Sequence, residues 1–350
     1  MNNFKSEFEA LNLKLVLDTL EYVRTFSGET VLIKLGGSAL QDTALVESIC
    51  QDLALIRSIG ISTVLVHGGG PAINDELKLH GIEWNFINGL RVTTPEMMNI
   101  VEMVLAGKMN QKIVRTLNQA GVKAVGVSGT DAAILKCKQM NAELGQVGEI
   151  EFVDSTFIKT ILNTQSEAGT GFIPVIAPIG FGPNGEAMNI NADWAAARVA
   201  SALGISKIIY LTDQDGILDS KKSLISELDL EGLSDLIKDG TVSGGMRAKV
   251  ETIRYALKSG IRDVHILNAK RPHSLIEELF TSKGVGTVCR DIIRAKQTIG
   301  DSFVISMRKK RNLNNLKKIL LNSKANKRFS IKKIVKKSKN KSGGNKNVNA

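Results

Sequence analysis

The stretch VLIKLGGSAL, residues 31–40, decides how this chain is read. Residues 31–35 are apolar except for Lys34, and the run is too short for a helix. It reads as a strand buried on both faces. Gly36, Gly37 and Ser38 stop it, and TALVESICQDLALIRSIG follows, with apolar residues three and four apart and a closing glycine. That is an amphipathic helix with its usual stop signal. A lysine at the end of a buried strand needs a partner. Paired glycines let another group approach the backbone. A strand, a glycine turn and a helix start together suggest a phosphate site; a strand-end lysine over a tight turn is the plainer alternative.

VLVHGGGPAIN, residues 64–74, repeats the pattern, with Gly68, Gly69 and Gly70 between a strand and a helix opening on Pro71. A turn needs one or two glycines. The third is explained by an anion close to N–H groups at a helix start. His67 reads as a residue packed at the strand end rather than a catalytic one. KAVGVS, FIPVIAP, KIIYLT and DVHIL are further strands, several of them separated by amphipathic stretches such as residues 95–121. This alternation predicts an α/β fold: a three-layer sandwich built on an open, mainly parallel sheet with helices on both faces. Residues 131–157 read as hairpins. A boundary between two lobes is expected near GFGPNGEA, 180–187, which divides the chain into 28–181 and 182–293. Residues 1–27 precede them with a helix over 4–25, and 294–350 form a basic tail whose end is expected to be disordered.

The net charge of +11 belongs to that tail. Residues 302–350 hold sixteen lysines and arginines and no acid, which leaves 30 basic and 35 acidic residues elsewhere, a net of −5. A nucleic-acid or anionic-surface partner therefore rests on the tail alone, which lacks the aromatic interleaving of single-strand binders. No apolar run reaches the ~18 residues of a membrane span, and the N-terminus lacks a signal-peptide layout. Cys50, Cys137 and Cys289 lie far apart with no CxxC, and the four histidines show no ligand spacing. No disulfide framework and no resident metal site are expected, and a reducing cytoplasm suits the chain. Residues 180–185 match GxGxxG, but they contain Pro-Asn-Gly and are followed by turn residues instead of a helix, so this is a hairpin. No P-loop and no protein-kinase signature is present.

Four motifs remain. NGLRVT, 88–93, places Arg91 where it could grip a carboxylate, although such an arginine is often only a surface residue. MNINADWAAARVASALG, 188–204, opens a helix with Asn189, Asn191 and Asp193; the aspartate equally suits the helix dipole. LTDQDGIL, 211–218, is a strand with an acidic turn. SGGMRAKVE, from 243, is a glycine pair opening a helix with Lys249 one turn in.

In this order the motifs KLGGS, VHGGGPAIN, NGLRVT, MNINAD, LTDQDGIL and GGMRAKVE resemble the amino acid kinase family, from about residue 20 to 293. Within the family they are similar to the acetylglutamate kinases. The resemblance implies phosphorylation of the side-chain carboxylate of N-acetyl-L-glutamate by ATP, in arginine biosynthesis. The N-terminal lobe would bind acetylglutamate and the C-terminal lobe ATP, with Mg²⁺ carried by the nucleotide. It implies catalytic roles for Lys34, Lys249 and Asp193, with Asp193 holding both lysines. Gly69, Gly70, Arg91 and Asn189 would bind the acceptor. Gly36, Gly37, Thr212, Asp213, Gly244 and Gly245 would meet the nucleotide. The helix over 4–25 and the segment HSLIEELFTSKGVGT, 273–287, resemble those of the arginine-inhibited members. That implies an arginine site at Tyr22, His273, Glu278, Lys283 and Gly286, and a homohexamer built as a trimer of dimers. An ordinary dimer strut and amphipathic helix are the plainer alternative. A cytoplasmic enzyme is expected, with the plastid stroma as a second setting. Aspartokinases share the first motif but usually carry a regulatory module that the short polar tail cannot supply. A kinase for carrier-bound aminoadipate would bind a similar diacid.

Overall fold

A computed structural model describes residues 28–164, 171–281 and 284–291, together with Leu20, Val23, Arg24 and Phe26, which are helical. The rest of the helix expected over 4–25, including Tyr22, lies outside the described residues, as do Lys283 and the tail 294–350. The described residues form one compact unit.

The strands in chain order are β1 Thr30–Leu35, β2 Ser62–His67, β3 Phe86–Ile87, β4 Leu90–Arg91, β5 Ala124–Ser128, β6 Leu135–Gln139, β7 Gly148–Val153 and β8 Ile173–Ala177. There follow β9 Ile179–Phe181, β10 Ala187–Asn189, β11 Lys207–Thr212, β12 Ile217–Leu218, β13 Leu224–Ile225, β14 Glu227–Leu228, β15 Asp263–Asn268 and β16 Thr287–Arg290. The helices are α1 Thr43–Ser58, α2 Gly70–Leu79, α3 Pro95–Glu102, α4 Asn110–Gln119 and α5 Thr156–Asn163, then α6 Ala192–Leu203, α7 Leu230–Lys238, α8 Gly244–Lys258 and α9 Ser274–Phe280.

Eight strands form the main sheet in the order β14-β16-β15-β11-β1-β2-β8-β5. Every pairing from β15 to β5 is parallel, and only β15 and β16 pair antiparallel. β1, which carries Lys34, lies between β11 and β2. Side chains alternate across a strand. Val31, Ile33 and Leu35 therefore join one core, with α1, α3, α4 and α9, while Leu32 joins a second, with α5, α6, α7 and α8. Lys34 shares the side of Leu32. On β2 the same alternation sends Val64 and Val66 to the second core and Leu65 to the first. His67 follows Leu65.

The expected helix over 95–121 forms α3 and α4 with a π-helical turn, Met103–Met109, between them. π-turns shift the phase of a helix face. Here Leu105 and Met109 both come to rest against Gly69. A second sheet, β10-β9-β6-β7, contains the hairpins expected over 131–157. The GxGxxG match is the turn between antiparallel β9 and β10, with Gly185 at φ +85°.

Candidate active site

Two glycine turns leave the C-terminal ends of the adjacent strands β1 and β2 and interlock. A Cβ on Gly37 would lie 3.0 Å from Gly70 N and from Pro71 Cδ, and 3.1 Å from Gly69 N. A Cβ on Gly36 would lie 2.9 Å from Leu211 O, the acceptor of the Gly36 N–H. The N–H groups of Gly37, Gly69 and Gly70 have no acceptor among the described residues. Space that one methyl group would fill, fronted by free donors at a helix start, suits an anion.

Lys34 meets its partner on its own side of the sheet, at the start of α6. Asn191 caps α6 by accepting from the N–H groups of Asp193 and Trp194 at 2.9 and 3.2 Å. The cap is thus supplied by Asn191, and the Asp193 carboxylate is free to face the lysines. Its Oδ1 lies 2.8 Å from Lys34 Nζ, off hydrogen-bond alignment, and its Oδ2 accepts from Lys249 Nζ at 2.6 Å. Each lysine side chain is 11% exposed. Burial alone would raise the Asp193 carboxyl; the two ammonium groups outweigh it and hold the acid well below the usual carboxylate range. Burial lowers the Lys249 ammonium, with Asp193 and Asp213 pulling the other way and Lys34 adding to the depression. One carboxylate between two cations leaves a net positive centre.

Tyr210, which the sequence did not single out, supports this centre. It pairs with Lys34 in the β1–β11 register. Its hydroxyl donates to the Asp193 carbonyl at 3.3 Å, and Lys249 Nζ stands 5.3 Å from its ring centroid. The alternation of KIIYLT and the pairing of β11 with β1 are the only sequence-level clues to it.

A cleft of about 160 Å³ opens beside the centre, lined by Gly69, Gly70, Phe86, Arg91, Asn189 and Asn191 among others. Asn88 and Gly89, both at positive φ, turn the hairpin that presents Arg91. The guanidinium is buried beneath Phe86, 4.8 Å from its ring centroid, and burial lowers it to about 10. One terminal nitrogen donates to Asn74 Oδ1 and to Gly70 O, while the other, Nη1, is buried without a partner among the described residues. An arginine with a spare donor in a cleft is a ready carboxylate partner. Asn189 donates to Thr93 Oγ1 at 3.0 Å, and Thr93 in turn donates to Arg91 O at 2.9 Å. Asn74 and Thr93 were not singled out in the sequence.

The expected nucleotide residues lie nearby. Thr212 Oγ1 donates to Asp213 Oδ1 at 3.1 Å, just past β11. Gly244, at φ +51°, and Gly245 open α8 with clear space around both Cα atoms. Among the described residues no group of three or more His, Cys, Asp and Glu could hold a metal ion, and no helix is long and apolar enough to cross a membrane.

Of the residues expected to bind arginine, His273, Glu278 and Gly286 are described. Glu278 is buried, 2.5 Å from His265 Nδ1 through Oε1 and accepting from Val285 N at 2.8 Å through Oε2. His265 Nε2 lies 2.9 Å from Lys207 Nζ, which also pairs with Asp263. Phe26 packs edge-on to Phe280 and lies beneath Lys207. Gly286 is required by packing, since a Cβ there would fall 2.0 Å from Ile266 O. His273 Nδ1 lies 2.6 Å from Asp52 Oδ1, and that bond raises its imidazole.

A sheet with a cleft over its C-terminal edge, glycine turns for phosphate and two lysines bridged by an aspartate define a phosphotransferase of the α/β class. A profile of the Amino acid kinase family matches residues 29–268, and the chain belongs to that family. An acetylglutamate kinase of Geotalea daltonii is 46% identical over 279 residues, covering 78% of this chain and 95% of that protein. One of Caldanaerobacter subterraneus is 43% identical over 285 residues, covering 80% and 93%. Among solved structures, N-acetylglutamate synthase of Neisseria gonorrhoeae, in complex with coenzyme A and N-acetyl-glutamate, superposes with a TM-score of 0.71 at 25% identity. The match covers 80% of this chain and 63% of the synthase. Carbamate kinase of Giardia lamblia shares the fold at a TM-score of 0.55 and 17% identity.

Proposed function

We propose that this chain transfers the γ-phosphoryl group of MgATP to the side-chain carboxylate of N-acetyl-L-glutamate, giving ADP and N-acetyl-L-glutamyl 5-phosphate, a step of arginine biosynthesis. The observation that carries the chemistry is the Asp193 carboxylate held 2.8 and 2.6 Å from two buried ammonium groups at the sheet edge. The relatives' names carry the choice of acceptor.

A carboxylate nucleophile is already ionised, so the reaction needs no general base. It needs two anions brought together in line and charge placed where the phosphoryl oxygens pass. Lys34 faces the phosphoryl group from the acceptor side and Lys249 from the nucleotide side, and Asp193 keeps both aligned. The N–H groups of Gly37, Gly69 and Gly70 add donors. Arg91 takes the α-carboxylate of the acceptor through its spare nitrogen, and Asn189 orients the rest of it. Thr212, Asp213, Gly36, Gly244 and Gly245 meet the nucleotide. Residues 28–181, joined by Asn189, thereby serve the acceptor, and 182–293, joined by Gly36, the nucleotide. Asp193 has both oxygens occupied by lysines, which leaves Mg²⁺ to the oxygens of ATP as part of the substrate.

Arginine feedback belongs to the same reading. Glu278, His273 and Gly286, with Tyr22 and Lys283, would hold the inhibitor where the N-terminal helix meets α9; the contact of Phe26 with Phe280 favours that meeting. A homohexamer joined through that helix, in the cytoplasm, completes it. The test is ADP release with N-acetylglutamate, glutamate, aspartate, carbamate and UMP as acceptors. Turnover confined to N-acetylglutamate is expected; preference for another acceptor would refute the assignment.

A further inference from the structure

His67 is fully buried at the end of β2, on the opposite face of the sheet from Lys34 and Asp193. It cannot exchange protons with substrate, yet it is not simply packed. Its Nε2 lies 3.3 Å from Asn110 Nδ2, which also donates to Val175 O at 2.8 Å. Val175 O can only accept, so the Asn110 atom facing both groups is the amide nitrogen. His67 Nε2 is therefore an acceptor, and the ring hydrogen resides on Nδ1. Nδ1 lies 3.0 Å from Gly68 O and donates to it.

That bond acts on the glycine turn. The C=O and N–H of a trans peptide point in opposite directions. Holding Gly68 O toward the ring turns the Gly69 N–H away from it, to the side where Gly37 packs 3.1 Å (to its ideal Cβ) from Gly69 N. A peptide between two glycines rotates with little steric resistance, so without this bond the donor would sample both orientations. We propose that His67 and Asn110 are positioning residues that lock the peptide between Gly68 and Gly69 with its N–H facing the transferred phosphoryl group. The inference rests on the kinase reading above. Gly126 belongs to the same device: a Cβ there would lie within 1.9 Å of Asn110 Oδ1, so the edge strand β5 gives up a side chain to admit the amide. Burial lowers the His67 imidazole to about 4, in keeping with a ring that stays neutral.

Two measurements test this. Nitrogen NMR of the full-length protein at neutral pH should show His67 as the neutral tautomer protonated at Nδ1. An Nε2–H tautomer or an imidazolium would overturn the proposal. Steady-state rates are then compared for His67→Leu and His67→Asn, the amide of the asparagine standing where Nδ1 stood. His67→Leu should lower kcat about 10- to 100-fold with smaller changes in either KM. His67→Asn should recover most of that loss. Equal kcat for the two variants, at equal melting temperature, would overturn the lock. If the wild type uses another acceptor, the substrate reading fails alone, and the comparison is made on that acceptor.

Discussion

Replacing Asp193 by asparagine removes one negative charge from between two cations and leaves the side-chain volume nearly unchanged. In the wild type the two ammonium groups stand 2.8 and 2.6 Å from the two carboxylate oxygens. An amide offers one acceptor and one donor, so at most one lysine keeps its bond and the other faces N–H hydrogens. Both cations are then misaligned at the point where phosphoryl charge must be met. Loss of one preorganised electrostatic element of this kind costs about 10²- to 10³-fold in kcat, or about 2.7–4 kcal/mol of barrier. KM for either substrate should move less, because the role assigned to Asp193 is to hold the two lysines and not to bind substrate. Stability carries a second signature. The Asp193 carboxyl is depressed in the fold, so its contribution is complete above the unfolded value near ~4 and fades as pH falls below it. The melting-temperature gap between wild type and Asp193→Asn should be widest near neutrality and narrow in acid. Initial-rate ADP release with each substrate varied, and thermal melts across pH, make the measurements. A variant with kcat within about threefold of wild type would reduce Asp193 to a helix-start acid and refute the reasoning.

Arg91→Ala should raise KM for N-acetylglutamate far more than KM for ATP, since only the acceptor cleft loses a carboxylate partner; equal rises would reject the role. Gly37→Ala should abolish activity, because its methyl group meets Gly70 N and Pro71 at 3.0 Å, whereas Gly70→Ala, with clear space around it, should keep the melting temperature and mainly raise acceptor KM. Deleting residues 1–25 should yield active dimers that ignore arginine, as read by light scattering and arginine titration. A full-length protein that is dimeric or unaffected by millimolar arginine would contradict that.

The parallel sheet was legible because buried strands of the β1 kind are apolar on both faces and their helices close on glycines. Lys34, Asp193 and Lys249 are far apart in sequence, and their meeting rests on side-chain alternation in β1 and on the cap of α6. The resemblance supplied that meeting; residue spacing did not. Whether Asp193 was a cap or a counter-ion turned on Asn191, whose capping role is set by a backbone angle that sequence does not display. Tyr210 and Asn110 were invisible for a related reason. Each sits in an element whose pattern is fully explained by packing; strand register reveals the polar end of Tyr210, and the contacts of α4 with β2 and β8 reveal Asn110. The π-turn over 103–109 likewise leaves the apolar pattern of a plain helix intact.

The most direct measurement is the identity of the product. An acyl phosphate reacts with hydroxylamine to give a hydroxamate at the carboxyl that was phosphorylated. Incubation of the full-length protein with MgATP, N-acetyl-L-glutamate and hydroxylamine, followed by mass spectrometry, should yield the side-chain hydroxamate in step with ADP. The α-hydroxamate, or ADP without any hydroxamate, would contradict the account.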